Sequence, residues 1–375
     1  MDGPSGPGSR SNMELDFVAL VVDHKPEDGW LPFYQALGHE LERRGYRTGF
    51  LTISRFADKG FARSNLTSFN VHDILAELNQ MNAVSYTEAT AVGLEEKYGL
   101  GGLRNFYLCD QVYHYRGERH AYRKSLECIQ VAEEFLRRNQ VGCLLLFNGG
   151  DLIRRSLYVT AKLMNIPTIW SSRVPLPGRM SLASTELHLF DNLALAPYES
   201  LSPDAIEEAS SAIEEFSRRR QMTIRRVYNL SLGINPRFPV NLARDLLRRL
   251  TVNGRKEPMP FLSTEFTLAK RKLKKLLYSR ILQKPVEGEH FFFFPLHLVR
   301  EAQLAVRAPH CYKQEYLVEL VSRFLPAGYK LYVKEHPNHL GELPLSAILG
   351  ISRLPNVRLL DPEYHSHDLI QQCAA

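Results

Sequence analysis

Three short, uniformly apolar runs constrain this chain more than any other feature: FVALVV (Phe17 to Val22), CLLLF (Cys143 to Phe147) and FFFFPL (Phe291 to Leu296). Runs of four to six apolar residues bounded by polar ones suit strands buried on both faces of a parallel sheet. None approaches the roughly 20 residues of a spanning helix. Helical spacing fills the gaps. A helix is expected from about Leu31 to Arg44, with Phe33, Leu37, His39 and Leu41 around one face and Gly45 stopping it. Arg47 to Ile53 reads as the next strand, so the start of the chain is a βαβ unit. Val71 to Leu78, Asp110 to Arg138 and Leu157 to Met164 read as helices, and Ile166 to Trp170 as a strand.

Residues 1–12, MDGPSGPGSRSN, read as a disordered leader without a secretory signal. Residues 13–200 form a doubly wound α/β domain. Residues 201–285 follow as a basic helical segment, opened by Ser202 as N-cap and Pro203 at the first helical position. From residue 286 the α/β rhythm returns, with strands at His290 to Phe294, Lys330 to Lys334 and Val357 to Leu360. Helices are expected at Lys313 to Phe324 and from His367. Three strands are few for a doubly wound sheet, so the second domain, 286–375, is expected to be incomplete at its C-terminus.

Five dispersed cysteines (109, 128, 143, 311 and 373) suggest neither a disulfide framework nor a metal knuckle, and a reducing cytoplasmic setting is expected. Cys143 reads as a small buried hydrophobe. The net charge of +6 is local: residues 201–285 hold 18 Lys and Arg against 8 Asp and Glu. In KRKLKKLLYSR, leucines 273, 276 and 277 fall at helical spacing, with Lys270, Lys272, Lys274 and Lys275 on the other side. Two readings stay open: a basic face on an anionic membrane with the leucines turned inward, or a solvated helix face. No nucleic-acid module is recognisable.

The C-terminal ends of two consecutive strands carry the sharpest chemistry. Open α/β sheets bind ligands outside those ends. Pro295 to His297 leave the FFFF strand, and Lys334, Glu335, His336 and Pro337 leave the next, so all are expected on one rim, where Lys and His can meet a phosphate. In the first domain, NGGD ends a strand: paired glycines permit close backbone approach, and Asp151 is the preferred acid/base candidate. Asp23, Glu186 and Asp191 are further carboxylates, each explicable as a cap or a solvated acid. The chain has no GxGxxG dinucleotide fingerprint and no P-loop. His336, His339, His365 and His367 lack the cysteines or ordered carboxylates of a metal site, so no metal is expected.

These pieces carry a resemblance. FPLHLVREAQ, YKQEYLVELVSRFLP, YKLYVKEHP and LLDPEYHSHDLI resemble the bacterial capsule polysaccharide biosynthesis proteins, which include the capsular β-Kdo transferases. The strand into Asn148-Gly149, then YVTAKLMNIPTIW and LPGR ending at Arg179, extend the resemblance to about two-thirds of the chain. It implies a GT-B-like fold of two Rossmann-like domains with a cleft between them. It implies transfer of a sugar, such as Kdo, from a CMP-type nucleotide donor to a glycan or glycolipid acceptor at the inner face of the inner membrane. No cofactor beyond that donor is implied. By the same resemblance, His336 and Pro337 take the nucleotide phosphate, with Glu335, Lys334 and His297 alongside. Asn148, Gly149 and Arg179 lie on the acceptor side. Two departures point to an alternative, a catalytically lapsed relative that binds nucleotide or glycan or partners an active transferase. Ser172-Arg173-Val174 stands where the family's acidic Glu-x-Gly triplet is expected, and the family's Ser/Thr-x-Gly-x-Glu-Ala-Leu element, which closes on the nucleotide, is not reached before Ala375.

Overall fold

The computed structural model describes residues 14–23, 29–81, 87–108, 110, 118–173, 180–184, 202–223, 243, 247, 273–274, 276–298, 301–336, 341, 343–362 and 364–374. It is a mixed α/β structure that divides into two compact units, one spanning Met1–Ala194 with Ala243–Glu257 and the other Leu195–Leu242 with Pro258–Ala375.

The first unit holds a six-stranded sheet of order β3-β2-β1-β4-β5-β6. Its strands are β1 (Phe17–Val21), β2 (Thr48–Thr52), β3 (Ser68–Asn70), β4 (Cys143–Phe147), β5 (Thr168–Arg173) and β6 (Met180–Ala183). The first five pair in parallel, and β6 adds antiparallel to β5, an edge the sequence did not signal. The helices are α1 (Leu31–Arg43), α2 (Arg55–Arg63), α3 (Val71–Gln80), α4 (Glu88–Tyr98), α5 (Leu103–Tyr107), α6 (Glu118–Arg138) and α7 (Leu152–Leu163). Strand alternation sends successive β1 residues to opposite faces. Val18 and Leu20 join Leu51, Leu144 and Leu146 beneath α3 to α7, whereas Ala19, Val21 and Phe50 pack against α1 and α2. The sheet is therefore doubly wound, and its order reverses between β1 and β4, the place where such sheets bind ligands.

Two expectations need correcting here. The buried face of α1 is Leu31, Tyr34 and Gly38, while Phe33 and His39 are exposed. The reason is a close approach: a Cβ on Gly38 would come within 2.8 Å of the Phe50 ring, so that helix face presses on β2. Cys143 is only half-buried, because the inward positions of β4 are Leu144 and Leu146.

The second unit holds β7 (Phe291–Pro295), β8 (Lys330–Lys334) and β9 (Val357–Leu360), all parallel in that order. A helix α8 (Pro203–Thr223) precedes them, capped by Ser202 Oγ accepting from Ala205 N at 3.2 Å. The helices among and after the strands are α9 (Gln314–Phe324), α10 (Leu345–Ser352) and α11 (Ser366–Gln372). Val318, Leu331, Val333, Ile348, Ile351 and Leu359 make the core on one face, together with Tyr278 from the end of the basic segment. Phe291, Tyr332, Leu360 and Leu369 make the other, where the Phe291 and Tyr332 rings stack at 4.0 Å. The FFFF strand is not buried throughout: only Phe291 is, and Phe292 to Phe294 are half-buried. Among the described residues β7 pairs with β8 alone, so it is an edge. The chain returns from α11 to that open edge, where Ala374 N donates to Phe291 O at 2.9 Å.

Candidate functional site

In the second unit β7 and β8 end in register, Pro295 beside Lys334, and Leu296 N donates to Lys334 O at 2.9 Å. The next residue, His297, is fixed by its backbone. Its N–H donates to Gln314 Oε1 at 2.6 Å, and Gln314 Nε2 donates to His297 O at 2.9 Å. Gln314 is buried at the start of α9, so one side-chain amide satisfies a loop that has no ladder partner, and the His297 side chain is left exposed. A Gln at the head of a helix reads as ordinary helix composition, which is why the sequence did not single it out.

Strand alternation then separates two residues expected side by side. Lys334 and Glu335 are each only 3% exposed, and they leave β8 toward opposite faces. Lys334 Nζ donates to Tyr364 O at 2.8 Å. Burial pulls its ammonium down to about 8, against a smaller upward pull from Asp361. Glu335 faces the other core and accepts from the Tyr278 hydroxyl. Burial, then the Glu335 charge, drives that phenol's pKa upward. His336 follows, half-buried and held below the usual imidazole value by burial and by the charges of Lys334 and His297. The rim therefore has His297 exposed and His336 half-buried, with Lys334 buried; Glu335 is turned inward as a structural acceptor. Pro337 lies outside the described residues.

The first unit's strand ends are built from different chemistry. Asp23, at the end of β1, is a remote helix cap: its Oδ2 accepts from Trp30 N at 2.8 Å and Leu31 N at 2.7 Å, at the start of α1. Asp110 does the same for α7, accepting from Leu152 N at 2.9 Å. Asp151, the acid/base candidate, is the N-cap residue of α7 but makes no side-chain cap there. Its carboxylate pairs with Arg154 one turn on and stays about half exposed. Arg154 is buried, and the guanidinium lies so close over Gly149 that any Cβ there would overlap it. Asn148 N donates to Ser171 O at 2.9 Å, which holds the Asn148-Gly149 turn against β5. Arg154 was missed in the sequence because NGGDLIRR reads as one exposed basic pair following an acid. Tyr34 is pushed up to about 12 by burial and by Asp23, with Arg154 opposing. Ser172 is buried within β5, where no carboxylate stands. Arg179, Glu186, Asp191 and His339 lie outside the described residues.

The end of the basic segment is oriented opposite to expectation. Leu273, Leu276 and Leu277 are exposed by 59, 52 and 62%, while Lys274 turns inward and its Nζ donates to Leu343 O at 3.1 Å. The helix is rotated by Tyr278, whose ring takes the core position and draws the side chain four residues earlier to the same side. Lys270, Lys272 and Lys275 lie outside the described residues. Among the described residues no helix is long and apolar enough to cross a membrane, and no three His, Cys, Asp or Glu side chains gather as a metal site.

No protein-family model and no curated protein matches the chain. Similar solved structures include the UDP-GlcNAc 2-epimerase of Neisseria meningitidis bound to UDP-GlcNAc, at 9% identity, covering 95% of this chain and 75% of that one, with a TM-score of 0.25. The Methanocaldococcus jannaschii UDP-GlcNAc 2-epimerase in complex with UDP-GlcNAc and UDP aligns at 10% identity over 95% and 77%, with a TM-score of 0.25. The glycosyltransferase SnogD from Streptomyces nogalater aligns at 12% identity over 97% and 75%, with a TM-score of 0.23.

Proposed function

We propose that the protein is a GT-B-type glycosyltransferase that binds a nucleotide sugar at the ends of β7 and β8. The observation that carries this is the exposed His297 and the half-buried His336, with the buried Lys334, at one strand-end rim. An anion arriving there meets two imidazoles and the field of Lys334. It favours the protonated form of His336, whose imidazole is held below its ordinary value, so binding a phosphate takes up a proton. The donor is CMP-linked, the sugar Kdo or a relative, and the acceptor a capsular glycan or glycolipid. The enzyme works at the cytoplasmic face of an anionic membrane, a reading supported by the excess of Lys and Arg over residues 201–285. Asp151 is the base, released from Arg154 when the acceptor binds.

Calorimetry with CMP and UDP in two buffers of different ionisation enthalpy tests the site. Proton uptake should accompany binding at pH 7.5, and His336→Ala should weaken CMP affinity about tenfold, or about 1.4 kcal/mol. Unchanged affinity in that variant removes the assignment.

A second reading is favoured by one observation: Asp151 is ion-paired, and Ser172-Arg173 stands where the family carries its carboxylate. On that reading the protein binds nucleotide without transferring sugar. Transfer that falls about a hundredfold or more in Asp151→Asn separates the two; nucleotide binding with no turnover in the wild type selects the second.

A further inference from the structure

Phe324 and Tyr316, exposed by 79 and 72%, are the two most exposed large apolar side chains among the described residues, and Leu320 between them is exposed by 52%. They fall one turn apart along α9, on the side opposite its buried Gln314, Val318 and Ser322. Single exposed apolar residues are ordinary, but two aromatics and a leucine in one stripe are not. Beside the stripe, α9 and α10 leave a groove of about 140 Å³, with Tyr316 and Glu319 on one side and Gly350, Ile351 and Leu354 on the other. A Cβ on Gly350 would meet nothing within 4 Å, so the groove is open above α10. An apolar space of about 150 Å³ accepts one benzene ring. The same face thus carries a protruding ring and a hollow of the size to receive one.

We propose that this face of α9 is a dimer contact between two copies of the chain, with Phe324 of each copy seated in the α9–α10 groove of the other. A self-complementary patch closes about a two-fold axis. An axis perpendicular to α9 at Leu320 sets the two helices antiparallel, and positions equidistant from residue 320 then face each other. Tyr316 meets the partner's Phe324 at the mouth of the groove, and Leu320 meets the partner's Leu320. Charge selects the same arrangement. On the flank beside the groove α9 carries Glu315, Glu319 and Arg323 in that order, and Glu319 is ion-paired with Arg323 of its own helix. Run antiparallel, Glu315 comes beside the partner's Arg323, twice by symmetry, and the two Glu319 at the centre are each already paired; run parallel, every charge would meet its like. One helix and one groove bury less than the roughly 1,200 Å² of a standard interface, so the dimer is reversible and depends on concentration. None of this depends on the nucleotide reading.

Sedimentation of the full chain over a wide concentration range should show a monomer–dimer equilibrium. Phe324→Glu should raise the dissociation constant about thirtyfold or more, as loss of a seated aromatic anchor does. Gly350→Leu fills the groove from within its own chain. It should weaken the dimer comparably while leaving the melting temperature at or above that of wild type, since glycine is the unfavourable residue inside a helix. Glu315→Arg and Arg323→Glu should each weaken the dimer about threefold, and the two together should restore it. Leu320→Cys, on the axis, should give a disulfide-linked dimer on mild oxidation beyond anything the chain's own five cysteines give. A chain that stays monomeric, with Leu320→Cys no more cross-linked than wild type, overturns the proposal. A dimer that Phe324→Glu and Gly350→Leu leave unchanged also overturns it, because another surface then forms the contact. If Phe324→Glu instead lowers the melting temperature of a monomeric chain, the stripe is covered from within the chain, and the proposal again falls.

Discussion

β1 and β7 are each the first strand of a parallel sheet, and each is a run of apolar residues, yet they end in different environments. β1 has β2 on one side and β4 on the other, and Val18 to Val21 are all buried. β7 has β8 on one side only among the described residues, and three of its four phenylalanines keep partial exposure. A strand's own residues specify that it is covered on its faces; its place across the sheet is set by its neighbours. The strand ends differ too. The first unit fixes its rim with carboxylates that cap helices, Asp23 and Asp110, and leaves a single buried guanidinium among them. The second fixes its rim with Gln314, which holds the His297 backbone, and with Tyr278, which donates to Glu335. The proposed anion would meet His297, His336 and Lys334 at the second rim; at the first it would meet the carboxylates of Asp23 and Asp110.

The largest effect should come from truncating the central strand. Leu20→Ala removes a fully buried side chain and should cost about 3 kcal/mol, whereas Phe293→Ala on the half-exposed edge should cost about half as much. Both tryptophans, Trp30 and Trp170, lie in the first unit, so their fluorescence reports on that unit directly. Denaturant curves followed by tryptophan fluorescence for the first variant, and by hydrogen exchange of β8 amides for the second, provide the numbers. An edge variant as costly as the central one would show that β7 is covered on its open side.

Next in size is the buried ammonium of Lys334. Its pKa falls from 10.5 to about 8 on folding, so the unfolded chain holds a proton that the folded one releases between those values. Stability of the second unit should therefore rise with pH from about 8 to 10.5, and the full penalty, about 3 kcal/mol, is present below pH 8. Lys334→Met should flatten that slope and raise stability at pH 7, less the bond to Tyr364 O. Identical pH profiles for the two proteins would mean the ammonium is solvated.

The elements that sequence revealed are those where pattern and environment agree: β1, β4, β8 and β9, the long α6, and Pro203 with its Ser202 cap. That His297 and Lys334 to His336 come at the ends of neighbouring strands was also legible, because the strands β7 and β8 were. What stayed hidden depends on partners distant in sequence. Asp23 and Asp110 cap helices that begin 8 and 42 residues away, and no local signature marks that. The inward turn of Glu335 follows from a tyrosine 57 residues earlier. Helical spacing of Leu273, Leu276 and Leu277 correctly grouped them on one face, but spacing has no sign, and the larger aromatic took the core.

Gln314 offers a smaller test of the second rim. Gln314→Leu keeps the volume and removes both hydrogen bonds to the His297 backbone. It should cost about 1–2 kcal/mol and loosen His297, because the backbone groups must find water instead. Exchange of the His297 amide should rise by more than tenfold, while the Lys334 amide, inside the ladder, should change little. Equal acceleration at both would mean that Gln314 supports the whole strand end and not the loop alone.

The smallest effect on stability should come from the exposed leucines, and there the comparison between inward and outward residues is sharpest. Replacing Leu273, Leu276 and Leu277 by Gln together alters only wetted surface, and each change should stay within about 0.5 kcal/mol. Their partner, if the membrane reading holds, is the boundary of an anionic bilayer, into which an amphipathic helix sinks its apolar side while basic residues meet the headgroups. The triple variant should then lose binding to vesicles containing phosphatidylserine, at unchanged fold. Wild-type binding should weaken with added salt, since charges at a wetted surface are screened over about 8–10 Å at physiological ionic strength. Lys274→Gln should leave vesicle binding nearly intact, because its ammonium is engaged with Leu343 O and faces away from the leucines. Equal partitioning of wild type and triple variant would remove the membrane from the account. A triple variant destabilised by more than about 2 kcal/mol would show that protein, and not lipid or water, covers these leucines.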